Sequence, residues 1–244
     1  MKMTVIGYWG AYPAIESATS CYLYEQDGFR LLVDCGSGCL SRLQKFMVPT
    51  SLDAVLISHY HHDHVADIGV LQYAWLVQNT LKGAKKKLPI YGHPYDTGKF
   101  ESLSHQFTEG ITYDPGRRLK VGPFTVDFHE THHPVPCYGM RISDGEKKIV
   151  YTADTSFSED WISFAQDTDL LIADTNFYKG MDGAGPGHMT SEEGGKLASG
   201  AGVKELLLSH LPHFGEHRQL VEEAKERYEG TVSLAHEGWT WSSH

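Results

Sequence analysis

Short apolar runs alternate with segments of helical spacing along most of the chain. Strands are predicted at residues 5–6, 54–58, 88–92, 124–128, 169–174 and 205–210. The run at 54–58 is apolar almost throughout, which is typical of a strand buried on both faces. Helical spacing, or acidic residues in a first turn, predict helices at 40–47, 65–81, 191–199 and 220–228.

Two Asp-Gly pairs between apolar runs predict β-hairpins. Asp27-Gly28 separates the runs 21–24 and 29–34, and Asp144-Gly145 separates 138–142 and 148–152. In each half of the chain strands come first and helices follow, with no Pro/Gly-rich linker between the halves. We therefore predict a single domain over residues 1–244, of the α/β class. Its architecture would be a four-layer αββα sandwich, with two sheets in the middle and helices outside.

Composition and charge narrow the class of protein. Hydrophobic residues make up 41% of the 244 positions, and no apolar run is long enough to span a membrane. The net charge of −10 disfavours a protein that coats duplex nucleic acid, which should be basic. An enzyme that acts on nucleic acid stays open, because bound metal cations would invert the local field. The expected partner is a small-molecule or short nucleotide substrate, with no membrane partner; monomer and homodimer both stay open.

The cysteines indicate a reducing compartment. Cys21, Cys35, Cys39 and Cys137 form no CxxC pair, and the N-terminal segment has no apolar signal core. We predict reduced thiols and a cytoplasmic protein.

The main chemical signal is the run His59-Tyr60-His61-His62-Asp63-His64, between the strand at 54–58 and a helix. His59 and His61 can face one point, and Asp63 and His64 a second point close by. The alternative is a solvated polar loop. Zinc prefers imidazole nitrogen and carboxylate oxygen, so this loop predicts ligands for two metal ions. Ions held roughly 3.5–4 Å apart can clamp both the attacking and the leaving oxygen.

More ligands are needed, and polar residues at the ends of other predicted strands can supply them. Asp154 and His210 each follow an apolar run, and a carboxylate can bridge two ions through its two oxygens. His133 is a third candidate, but His132 stands beside it, and spacing alone does not choose between the two.

The whole pattern resembles the metallo-β-lactamase superfamily of metal-dependent hydrolases. Within it, segments 133–141, 151–155, 187–190 and 203–210 resemble the RNase Z branch and its small phosphodiesterase relatives. The first of these segments resembles that branch's histidine ligand followed by an aromatic-Gly-x-Arg strand. The resemblance thus selects His133 over His132.

The resemblance also implies roles for individual residues. One metal ion would be held by His59, His61 and His133, the other by Asp63, His64 and His210, with Asp154 bridging them. Zn²⁺ fits these donors best, and Mn²⁺ or Fe²⁺ are the alternatives. Three further roles are implied: Asp63 orients the nucleophile and takes its proton, His188 protonates the leaving oxygen or stabilises the phosphoryl charge, and Asp34 supports the metal loop without binding metal.

Two departures from the RNase Z branch shape the expected function. Only twenty residues separate His133 from Asp154, where that branch carries a long insertion that grips tRNA, and segment 11–20 contains no Lys or Arg. We therefore expect a binuclear metal-dependent phosphodiesterase acting on a nucleotide or another small phosphodiester. The alternatives are an ester or lactone hydrolase on the same metals, a tRNA 3′ processing endoribonuclease, and a non-catalytic member, which should have lost ligands.

Overall fold

A computed structural model describes residues 1–242 of the chain, which divide into two compact units. The first contains residues 1–114, 121–123 and those from 236 onward; the second contains 115–120 and 124–235. The strands are β1 Lys2–Gly7, β2 Cys21–Gln26, β3 Phe29–Val33, β4 Ala54–Leu56, β5 Leu88–Gly92, β6 Thr108–Thr112, β7 Leu119–Val121, β8 Phe124–Glu130, β9 Tyr138–Ser143, β10 Lys148–Tyr151, β11 Leu170–Asp174, β12 Glu205–Ser209, β13 Thr231–Leu234 and β14 Thr240–Ser242. The helices are α1 Cys39–Leu43, α2 His62–Val65, α3 Ile68–Lys82, α4 Thr97–Glu101, α5 Asp160–Phe164, α6 Ser191–Ala201 and α7 His217–Lys225.

Each unit is built around one mixed sheet of seven strands. The first sheet has the order β14-β1-β2-β3-β4-β5-β6, antiparallel from β14 to β3 and parallel from β3 to β6. The second has the order β13-β12-β11-β10-β9-β8-β7, with β10 to β13 parallel and β8 to β10 antiparallel. Parallel neighbours end at the same edge of a sheet, so residues that directly follow them collect there.

The ten strands predicted from the sequence are all present, and both Asp-Gly hairpins are confirmed. Asp27 and Gly28 have φ of 52° and 79°, the left-handed conformation that a tight hairpin turn requires. The four strands that sequence analysis missed, β6, β7, β13 and β14, are the edge strands of the two sheets. Edge strands pack against one neighbour only, so they need less of the apolar pattern on which the predictions depended.

The helix predicted at 65–81 is wrong at its start, because the structure contains two helices there, α2 and α3. Asp67, between them, accepts the Leu40 N–H through its side chain at 2.9 Å, and its own N–H donates to the Cys35 carbonyl. These bonds tie the junction to the segment after β3. The helix predicted at 40–47 is also shorter than expected and ends at Leu43.

The cysteine prediction is wrong for two residues. Cys21 and Cys39 are paired as a disulfide, with Cα atoms 6.2 Å apart, whereas Cys35 and Cys137 are free and buried. The sequence hides this pair, because the start of β2 and the start of α1 meet only in the folded unit. Within residues 1–242 no helix is long and apolar enough to cross a membrane. The cytoplasmic location and the single domain over 1–244 stay predictions.

Candidate metal centre

The first unit gathers four candidate ligands directly after β4. This first ligand group consists of His59, His61, Asp63 and His64. His59 and His64 are fully buried, and the centroid of the His59 ring lies 4.8 Å from that of His61 and 4.1 Å from that of His64. The intervening His62 is exposed. The loop thus turns three of its four imidazoles inward, which the alternative of a solvated polar loop does not explain.

Asp34, which directly follows β3, orients two of these histidines, His64 directly and His59 through Ser58. Its Oδ2 lies 2.7 Å from the Nδ1 of His64 and accepts the Ser58 hydroxyl at 2.8 Å, while its Oδ1 accepts the Ser58 N–H. The Ser58 Oγ in turn lies 3.1 Å from the Nδ1 of His59. Because β3 and β4 are parallel neighbours, Asp34 and the histidine loop leave the sheet at the same edge.

These contacts favour one tautomer for each histidine. The Nδ1–H of His64 donates to Asp34, and the Nδ1–H of His59 donates to the Ser58 oxygen, whose own proton goes to Asp34. Each ring then presents the lone pair of Nε2. Metal-binding histidines are commonly held in this way, with the second ring nitrogen hydrogen-bonded to a carboxylate or another oxygen acceptor.

The loop that follows Asp34 packs tightly against the first ligand group. A Cβ added to Gly36 would lie 2.0 Å from the Asp63 carbonyl oxygen and 2.1 Å from the Thr19 Oγ1. Any side chain at position 36 would therefore collide with the backbone of Asp63.

We expect Gly36→Ala to lower the free energy of unfolding by about 1–3 kcal/mol, the usual cost of overpacking a well-packed site. Gly69→Ala is the matched control, because a Cβ there meets nothing within 4 Å on helix α3. Thermal unfolding of both variants checks the prediction. Equal melting temperatures for the two variants would contradict the close packing of Gly36 against Asp63.

The second unit gathers its own candidates at the ends of β10 and β12. This second ligand group consists of His133, Asp154 and His210. The Nε2 of His133 lies 3.9 Å from one carboxylate oxygen of Asp154, and the Nε2 of His210 lies 3.4 Å from the other. Asp154 thus faces a different histidine with each oxygen, the arrangement that a bridging carboxylate requires.

His133 is held as His59 and His64 are, by a hydrogen bond to its second ring nitrogen. Its Nδ1 lies 3.1 Å from the Gly187 carbonyl oxygen, so Nδ1–H donates and Nε2 carries the lone pair. The neighbouring His132 is exposed, and its backbone N–H donates to Thr155. Of this pair, the structure places His133 beside Asp154.

Asp174, at the end of β11, is a residue that sequence analysis missed. Its Oδ2 lies 2.7 Å from the Nδ1 of His188, and its Oδ1 lies 3.4 Å from the Nδ1 of His210. The signal was present, because a buried strand ends in an aspartate here, as β3 is followed by Asp34. Asn176 was missed as well; its side-chain amide donates to the His210 carbonyl at 2.8 Å.

His188 lies outside the ligand pattern but close to it. Its ring stacks on His210 with centroids 5.1 Å apart and meets His133 edge-on at 5.4 Å. Burial lowers the pKa of His188, and the Asp174 carboxylate outweighs it, so the pKa of this imidazole lies above its usual range. Burial raises the pKa of Asp174, but the contacts with His188 and His210 lower it by more. The net pKa of this carboxyl therefore lies below its usual range.

The donor set fits divalent metal ions. Imidazole nitrogens with fixed tautomers and buried carboxylates are what zinc takes in hydrolytic sites, and thiolates are absent from both groups. In the second unit, Asp154, Asp174, His188 and His210 offer ligand atoms that all lie within 4.8 Å of one another. Both carboxylates, Asp154 and Asp174, contact His210. Asp174 contacts the Nδ1 atoms of His188 and His210, a position suited to orienting the two rings rather than to binding a metal ion.

Comparisons with known proteins agree with this chemistry. The family model for the β-lactamase superfamily domain matches residues 29–211. The chain is 50% identical over 242 residues to the probable metallo-hydrolase YhfI of Bacillus subtilis, covering 99% of each protein. The crystal structure of that Bacillus subtilis protein matches with a TM-score of 0.97 at 49% identity, covering 98% of each chain. A ribonuclease Z of Halorubrum lacusprofundi is 27% identical over 297 residues, covering 98% of this chain and 96% of that protein.

The chain belongs to the β-lactamase superfamily. It has the metallo-β-lactamase fold, with two mixed sheets flanked by helices, and it is a metallo-hydrolase. The predictions of fold class and of a metal-dependent hydrolase are thereby confirmed. The number and kind of metal ions, the ligand set and the substrate stay predictions.

Proposed function

We propose that the protein is a binuclear metal-dependent phosphodiesterase, with a nucleotide or another small phosphodiester as its substrate. The two ligand groups together would hold two divalent ions, His59, His61 and His133 on one, Asp63, His64 and His210 on the other, with Asp154 between them. The pattern of the RNase Z branch supports this assignment residue by residue. When bound, such ions act as Lewis acids and lower the pKa of a coordinated water.

The observation that carries the proposal is the contact between His188 and Asp174 at 2.7 Å. The departing alkoxide of a phosphodiester is a strong base, so its release benefits from a positioned acid. His188 is an imidazole whose Nδ1 is bonded to a buried carboxylate and which is stacked on a ligand histidine. Because Nδ1 is bonded to Asp174, Nε2 is the ring nitrogen that would donate the proton.

The remaining residues have supporting roles in this proposal. The carboxylate of Asp63 orients the nucleophilic water and accepts its proton, for which it is held by the N–H of Ala11 at 2.8 Å. Asp34 fixes His59, through Ser58, and His64, and Asp174 fixes His188 and His210. As the bond from phosphorus to the leaving oxygen breaks, His188 delivers its proton to that oxygen, so that the leaving group departs as an alcohol.

A comparison of substrates that release the same product tests the reaction class. Bis-p-nitrophenyl phosphate and p-nitrophenyl acetate both release p-nitrophenolate, so one absorbance assay follows both, with Zn²⁺ or Mn²⁺ added. The acceleration of each reaction is its kcat/KM divided by its rate constant without enzyme. We expect the larger acceleration for the phosphodiester. A larger acceleration for the acetate, or for a lactone followed by pH-stat, would favour the ester or lactone hydrolase instead.

Processing of tRNA 3′ ends is the second candidate, favoured by the 27% identity to the ribonuclease Z of Halorubrum lacusprofundi. We expect the isolated chain to cleave precursor tRNA poorly beside a small phosphodiester, because its net charge is −10 and the gripping insertion is missing. Gel analysis of cleavage products measures this. Efficient trimming at one site next to the acceptor stem would contradict the expectation and make tRNA the substrate.

A further inference from the structure

A closed loop joins β1 to β2 in the first unit, and its two ends are fixed to each other. We call residues 8–18 the aromatic loop, after Tyr8, Trp9 and Tyr12. The N–H groups of Tyr8 and Trp9 donate to the Ala18 carbonyl at 3.0 and 3.3 Å. At the base of the loop, a Cβ added to Gly7 would lie 1.9 Å from the Thr19 carbonyl oxygen. The base is therefore a close backbone crossing that leaves little freedom to the segment it encloses.

The tip of the aromatic loop is tethered to the first ligand group. The N–H of Ala11 donates to the Oδ2 of Asp63 at 2.8 Å. Ala11 has φ of 60°, in the left-handed region that alanine rarely adopts. Such backbone strain persists only where surrounding contacts hold it, and it concentrates at functional sites. The loop is thus fixed at both its base and its tip.

Tyr12 follows this tether directly and presents an exposed aromatic ring. Consecutive Cα atoms are about 3.8 Å apart, so the Tyr12 side chain begins within a few ångströms of the group that binds Asp63. Tyr12 is 58% exposed, and its backbone N–H donates to the Gly10 carbonyl at 2.7 Å. An aromatic side chain on a fixed backbone beside a catalytic carboxylate is well placed to contact a substrate.

The composition of the loop indicates which part of a substrate it contacts. Glu16 is the one charged residue between positions 8 and 20, so the segment offers no cation to a phosphate. Tyr12 and Ile15 are its exposed large apolar side chains. An uncharged aromatic surface favours a flat, weakly polar ring, and stacking on aromatic side chains is how proteins bind nucleobases without reading their sequence.

We propose that Tyr12 is a specificity-determining residue that stacks on the base of a nucleotide phosphodiester, held in place by the bond between the Ala11 N–H and Asp63. This inference rests on the proposed phosphodiesterase function and names its substrate class: a phosphodiester that carries a nucleobase on one side. The aromatic loop would then contact the base of the substrate and not its phosphate.

Binding of products measures the base contact without catalysis. Calorimetric titration compares thymidine 5′-monophosphate with 2-deoxyribose 5-phosphate, which has the same phosphate and sugar but no base. We expect Tyr12→Ala to weaken binding of the nucleotide about tenfold, as the loss of one stacked base predicts, and to leave the base-free ligand unchanged. Tyr12→Phe keeps the ring and should bind both ligands as the unsubstituted protein does.

Tyr73→Ala is the matched control for this titration. Tyr73 is as exposed as Tyr12, at 63%, but it lies on helix α3 in ring contact with His105. We expect no change in the binding of either ligand. Equal losses for the two alanine variants, equal weakening of both ligands by Tyr12→Ala, or no weakening at all would overturn the role of Tyr12.

Two chromogenic esters separate the failure of this inference from that of the proposed function. The p-nitrophenyl ester of thymidine 5′-monophosphate and methyl p-nitrophenyl phosphate share a leaving group, but only the first carries a base. We expect Tyr12→Ala to lower kcat/KM about tenfold for the first ester alone. If the unsubstituted protein with metal hydrolyses neither ester, the phosphodiesterase itself is contradicted. If it hydrolyses both esters and Tyr12→Ala leaves the ratio of their kcat/KM values unchanged, only the base contact is contradicted.

Discussion

His188→Ala is expected to lower the turnover of a phosphodiester with an alkoxide leaving group by about 10²–10⁴-fold, the usual contribution of a general acid. The variant should keep its metal ions and its melting temperature, because His188 is assigned to proton transfer and not to ligation. The contact with Asp174 at 2.7 Å orients the imidazole for this role. Steady-state kinetics, elemental analysis and thermal unfolding of the same preparation check the three parts of the prediction.

The leaving group is the internal control for His188. p-Nitrophenolate departs without a proton, so bis-p-nitrophenyl phosphate should lose much less turnover in His188→Ala than an alkyl phosphodiester does. Equal losses for both substrates would assign His188 to charge stabilisation. A fall in metal content along with activity would make His188 a ligand, and unchanged activity with the alkoxide leaving group would remove its chemical role.

His59→Ala is expected to lower metal occupancy sharply, and hydrolysis with it. His59 is fully buried, its Nδ1 contacts the Ser58 hydroxyl, and that hydroxyl is bonded to Asp34. The replacement removes a buried imidazole whose orientation is fixed by hydrogen bonds. Elemental analysis of protein purified without chelator gives the occupancy, and circular dichroism verifies that the variant is folded.

His62→Ala is the matched control, in the same six-residue loop. Its side chain is exposed and lies outside the first ligand group, so metal content and turnover should barely change. If both variants keep their metal, the loop is not the binding element. If both lose it equally, the distinction between inward and outward histidines that the structure draws does not govern binding.

The sequence predicts the elements that lie in the middle of each sheet and much of the chemistry at their ends. Strands such as β4 and β11 are buried on both faces, so their apolar runs are continuous and unambiguous. The histidine run after β4 is dense enough to indicate a metal site without a structure. Choosing His133 over His132 needed the family resemblance, because adjacent residues differ by only one position in their spacing to every other candidate.

The parts that sequence analysis missed depend on contacts between distant segments. Asp174 looks like an ordinary strand terminus until His188 and His210 meet it. The break between α2 and α3 follows from the bonds of Asp67 to Leu40 and Cys35, which spacing within the helices does not encode. The same applies to the tether between Ala11 and Asp63, which joins positions 52 residues apart.

Metal content and phosphodiesterase activity, measured on one sample, test whether hydrolysis depends on a binuclear metal centre. Protein purified without chelator is analysed for Zn, Mn and Fe, assayed with bis-p-nitrophenyl phosphate, stripped with chelator, and assayed again before and after Zn²⁺ or Mn²⁺ is restored. We expect about two ions per chain, loss of hydrolysis on stripping, and recovery as roughly two equivalents are added back. A folded protein that binds no metal, or that hydrolyses the phosphodiester equally well after stripping, would contradict this expectation.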